Sequence, residues 1–178
     1  MTRQELTNNL IQSHTSFINY INALSTTDFE MSKQEKWSAG QQLEHIVICT
    51  KPLTQALLLP TFVVKMLFGK ANRQSKSFDE VVAKYTLKLQ NGGKASARFV
   101  PKAVSFGEKE KLINALNKTI KKLTTQLNGL SEEQLDSLIL PHPLLGKLTL
   151  REMVYFTIYH VKHHHDITVR NLENWNSN

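Results

Sequence analysis

The chain has 178 residues, of which 40% are hydrophobic and 21% charged, and a formal net charge of +7. This suits one soluble domain over residues 1–178 and excludes a membrane-spanning chain, because the longest apolar stretch, ALLLPTFVVKMLF, is broken by Pro60 and Lys65. The polar N-terminus lacks the apolar segment of a secretory signal, and the single cysteine, Cys49, cannot form an internal disulfide, so a cytoplasmic protein is expected.

The first helix is predicted over Arg3–Leu24, with Leu6, Leu10, Phe17, Ile18 and Ile21 at helical spacing. STTDFEMSKQEK then reads as a turn. A second helix begins after Ser38, which forms a capping box with Gln41 three residues on. Pro52 removes one of its hydrogen bonds, and Pro60 ends or bends it, with TFVVKMLF continuing toward a stop at Gly69. Residues 70–106 read as irregular, apart from a short helix at Asp79–Tyr85. The third long helix spans Gly107–Asn128 on a stripe of Leu112, Leu116, Ile120, Leu123 and Leu127. SEEQLDSL reads as one capped helical turn and ILPHPLLGKLT as a loop. Thr149 with Glu152 caps the fourth helix, which runs from Leu150 to Trp175. No segment reads as a strand. Four long amphipathic helices, with one long connection between the second and third, predict an all-α four-helix bundle with a crossover.

The charge is concentrated in that connection. Between Lys65 and Lys111 eleven Lys/Arg face four acids, a local excess equal to the whole net charge of +7. A basic excess can attract anionic partners. This stretch has neither aromatic interleaving nor a nucleic-acid motif, so no nucleic-acid partner is expected.

Four of the seven histidines lie within YHVKHHHD on the fourth helix. At roughly 100° per residue, with His160 at zero, the apolar arc covers roughly −40° to +160°. His160 and His164, at roughly +40°, fall inside it. His165 falls at the far margin and His163 just outside the near one, so both read as rim or solvent residues. Two imidazoles one turn apart can grip one ion, and on an apolar face they are costly to leave unpaired. A bundle site draws further ligands from facing helices. His45 on the second helix is a candidate, with an ordinary half-buried histidine as its alternative, and Cys49 one turn on can face the same site. Glu44 points roughly 100° away from His45 and is not expected to act as a base. The Glu-x-x-His, H-E-x-x-H, C-x-x-C and G-x-S-x-G patterns are all absent.

WSAGQQLEHI (Trp37–Ile46) and HPLLGKLTLREMVYFTIYHVKHHHDITV (His142–Val169) resemble the DinB/YfiT-like superfamily. The resemblance implies a four-helix bundle holding a divalent metal through His45, His160 and His164. The unbroken HHH departs from the usual H-x-x-x-H by adding His163 and His165. The resemblance also implies a homodimer acting on a small-molecule substrate, by hydrolysis or by transfer of a low-molecular-weight thiol, and it puts His142 near the mouth of the site. Trp37, Cys49, His142, Tyr159 and His163 are the candidate pocket residues.

Three neutral imidazoles leave open positions on an ion, which is the pattern of a catalytic rather than a structural site. Bound water or thiol would be acidified there. Zn, Ni and Fe all suit imidazole. The alternative is a non-catalytic bundle that binds metal or a small ligand and offers its basic stretch to a partner.

Overall fold

The computed structural model describes residues 1–177. The chain is 70% helical, with eight α-helices and one two-stranded sheet among the described residues. The elements are α1 (Arg3–Ala23), α2 (Thr26–Glu30), α3 (Ala39–Ala56), α4 (Thr61–Phe68), α5 (Phe78–Gln90), α6 (Lys109–Asn128), α7 (Glu132–Ser137), β1 (Ile139–His142), β2 (Gly146–Thr149) and α8 (Leu150–Asn176). Five of the helices start on a full capping box, at Thr2, Ser38, Ser77, Ser131 and Thr149. In each box the cap hydroxyl accepts from the third helical N–H, and the side chain there accepts from the cap N–H. Short polar signatures in the sequence thus fix where the helices begin.

α3 packs on α6, α6 on α1, α1 on α8 and α8 on α3, which closes the expected four-helix bundle. The crossover joins α3 to α6 and carries α4, α5 and two 3-10 turns, Ala97–Phe99 and Phe106–Glu108. Its helix α5 packs along α8. Two apolar clusters form the core. One, around Leu123, Leu127, Val154 and Phe156, extends under α5 and the hairpin; the other, around Phe17, Leu43, Ile46 and Leu116, fills the opposite end. Among the described residues no single helix is long and apolar enough to cross a membrane.

Three segments depart from the expected pattern, while Pro60 breaks the second helix as expected and the continuation stops at Gly69. ILPHPLLGKLT forms an antiparallel hairpin instead of a loop, pairing Ile139 with Thr149 and His142 with Gly146. Four-residue strands are too short to display alternation, and Pro141 reads as a breaker although an edge strand tolerates it. Gly146, at φ +75°, supplies the left-handed residue of the turn. The second helix ends at Ala56, and α4 leaves it at 106° after the break around Pro60. The short helix of the crossover extends from Phe78 to Gln90, and the segment read as a turn contains α2, capped by Ser25.

Candidate metal centre

α3 and α8 face each other, and the three buried histidines meet between them. His160 and His164 follow each other at one turn on α8, where the hydrophobic stripe of that helix carries them inward, and each is 6% exposed. His45 projects from the first half of α3 and is 3% exposed. His160 Nε2 lies 3.3 Å from His45 Nε2 and 3.1 Å from His164 Nε2. Ligand nitrogens around a tetrahedral ion with bonds of 2.0–2.1 Å sit about 3.3 Å apart. The three residues are therefore positioned to hold a metal ion.

The outer nitrogens fix the tautomers. The Phe99 carbonyl accepts from His45 Nδ1 at 2.7 Å, and Gln42 Oε1 accepts from His164 Nδ1. A carbonyl oxygen can only accept, so both rings carry the proton on Nδ1 and direct the Nε2 lone pair at the shared centre. Metal-binding histidines are commonly held in this way by a second partner. Burial pushes all three imidazoles below their ordinary range, and mutual repulsion adds to this at His160 and His164. They stay neutral, which is the state a cation needs. The Trp37 indole stacks nearly parallel to His164, and Phe156 stacks on His160 with ring centroids 4.8 Å apart.

The trio opens onto a cavity of about 740 Å³. Its wall is mostly carbon, supplied by Leu53, Phe68, Leu140, Met153 and Phe156 among others. Four of the five pocket candidates line it: Trp37, Cys49, His142 and His163. Cys49 Sγ lies 3.5 Å from His45 Nε2, and burial pushes the thiol up to about 12. Tyr159 is outside the wall and stacks on His163. His165 is not a solvent residue: it is half-buried against Phe17 and Tyr20 of α1. Glu44 accepts from the Lys102 N–H and takes no part in the site.

Sequence reasoning missed Gln42, Phe99, Phe156, Lys94 and Arg98. Gln42 was findable, because it precedes His45 by three residues on the same helical face and is buried. The Phe99 contribution is a backbone carbonyl from an irregular segment and has no side-chain signature. Lys94 and Arg98 belong to the basic crossover and reach the cavity mouth.

The family model described as the DinB superfamily matches residues 10–167. No curated protein matches the chain. The match begins within α1 and ends within α8, so it touches all four bundle helices and includes His45, His160 and His164. By its sequence, its helical bundle and the buried histidine trio between α3 and α8, the chain belongs to the DinB superfamily.

Proposed function

We propose that this protein is a metal-dependent enzyme acting on a small molecule, with His45, His160 and His164 as the metal ligands. One observation carries the reading: three neutral imidazoles converge at the inner end of a cavity large enough for an organic substrate. A divalent ion bound there, Zn, Ni or Fe, supplies Lewis acidity, which acidifies a water or a low-molecular-weight thiol and polarises a substrate oxygen.

The residues of the chain do the rest. The Phe99 carbonyl and Gln42 hold two rings in the tautomer that aims Nε2 inward. Trp37 and Phe156 stack on the rings of His164 and His160 and hold them in orientation. Among the described residues no fourth His, Cys, Asp or Glu joins the trio, which leaves room for substrate. Cys49 borders this open side as a protonated thiol. Hydrolysis and thiol transfer share these parts. The reaction is assigned by presenting the Zn-, Ni- and Fe-loaded protein with an ester panel and with thiol-plus-electrophile pairs. Turnover in either arm that disappears in His160→Ala supports the enzyme reading. Stoichiometric metal with no turnover in both arms overturns it in favour of a metal- or ligand-binding bundle.

That second reading has its own support in the exposed cations of the crossover, Lys70, Lys88, Lys94, Arg98 and Lys102. We also infer a homodimer from the family resemblance, and a single cytoplasmic domain from the length of the chain and its lone cysteine; sedimentation velocity at micromolar concentration tests the dimer.

A further inference from the structure

His142 is absent from the histidine trio, yet its ring is held in one tautomer. The backbone N–H groups of Leu144 and Leu145 both donate to Nδ1, at 3.2 and 3.1 Å. A backbone N–H can only donate, so Nδ1 carries the lone pair and the neutral ring bears its proton on Nε2. This is the reverse of His45 and His164. The turn that imposes it is fastened from outside, where Lys84 Nζ donates to the Leu145 carbonyl at 2.7 Å. Burial and the Lys84 cation push the imidazole down to about 4, so the ring is neutral at pH 7.

No group of the described residues accepts from His142 Nε2, although the side chain forms part of the cavity wall. The neighbouring wall is carbon: Leu140, Leu144, Met153 and Phe156. Phe156 lies edge to face with His142 at 4.3 Å and stacks on His160 at 4.8 Å. One phenyl ring thus separates a fixed N–H donor from the histidine trio. An apolar pocket needs few polar groups to orient its ligand, and a donor in its wall that a ligand covers without pairing disfavours ligands that cannot accept from it.

We propose that His142 is a substrate-binding residue whose Nε2–H donates to an acceptor oxygen of an apolar-bodied small molecule carrying a carbonyl group. The body lies against Leu144, Met153 and Phe156, and the carbonyl oxygen meets His142. The proposal rests on reading this cavity as the substrate site. It does not require metal, so the two can fail separately.

The probes are 4-phenylbutan-2-one and butylbenzene, of similar shape, one with the acceptor oxygen and one without. Their dissociation constants are measured by NMR titration against metal-free and Zn-loaded protein. The expected result is a preference of about fivefold to tenfold for the ketone in both forms, the size of one hydrogen bond. His142→Asn keeps an acceptor for the Leu144 and Leu145 N–H groups but has nothing at the Nε2 position. It should abolish the preference, by weakening ketone binding or strengthening butylbenzene binding, while leaving Zn binding unchanged. Nitrogen-15 spectra of the wild type, which need no variant, should show His142 protonated at Nε2 at pH 7. Equal affinity for the two probes, a preference that survives in His142→Asn, or protonation at Nδ1 would each overturn the proposal. A wild type that binds the ketone selectively but takes up no Zn would instead overturn the three-histidine reading alone.

Discussion

Gln42 and His14 show what a single buried polar atom does in this chain. Gln42 is 3% exposed, and its amide oxygen is the partner of His164 Nδ1. Gln42→Leu removes that partner while preserving the volume, so metal affinity should fall about 10- to 100-fold, read by competition with a chelator. His14 in α1 donates Nδ1–H to the Leu10 carbonyl and leaves Nε2 buried without a partner. Burial pushes it down to about 4, while the unfolded chain titrates near 6.5. Below pH 6.5 the unfolded chain therefore takes up a proton that the folded chain refuses. Stability is full above that pH, declines as pH falls toward 4, and gains no further slope from His14 below it. His14→Leu should make the loss between pH 7 and pH 5 smaller by about 2 kcal/mol, measured by urea unfolding at both values. The inward phase of His160 and His164 was legible because helical period alone fixes it. The burial of His14 was not argued from its position, although the residue follows Leu10 by one turn on the apolar stripe of α1.

Close approach decides matters at the scale of the element. A Cβ at Gly40 would lie 2.7 Å from the Phe29 ring and 3.1 Å from Val104. α2 and the segment before α6 can press on the start of α3 only because position 40 has no side chain. Alanine favours helix over glycine by up to about 1 kcal/mol, but overpacking costs about 1–3 kcal/mol. Gly40→Ala should therefore lower the melting temperature, as scanning calorimetry would show. The five capping boxes are written in the sequence as Ser or Thr followed at the third position by Glu or Gln, and two of them, those that start α3 and α8, are legible there as helix starts. The hairpin was not legible. Its strands owe their existence to what lies beneath them, where Ile139, Leu140, Leu145 and Leu148 are buried against the core, and not to any local period.

For the molecule as a whole, the crossover makes the bundle into a site. It contributes the Phe99 carbonyl behind His45, with Phe68, Lys94 and Arg98 in the cavity wall. One clasp ties it to the bundle: Glu152, fully buried at the start of α8, receives both Arg73 terminal nitrogens and the Lys76 and Thr149 N–H groups. Arg73 is 40% exposed, so Arg73→Ala should cost about 1–2 kcal/mol, less than breaking a fully buried pair, in chemical denaturation. The bundle and the trio were legible because each motif lies on a long, strongly periodic helix. The cavity was not, because its wall is assembled from α3, α4, α5, α8, the hairpin and an irregular segment distant in sequence. His45, His160 and His164 are expected to hold one ion together. Untagged protein, stripped and titrated with Zn²⁺ by calorimetry, should bind one ion per chain at micromolar or lower concentration, and His45→Ala, His160→Ala and His164→Ala should each lose that binding while remaining folded. Absence of micromolar binding in the wild type, or unchanged binding in the three variants, would contradict it.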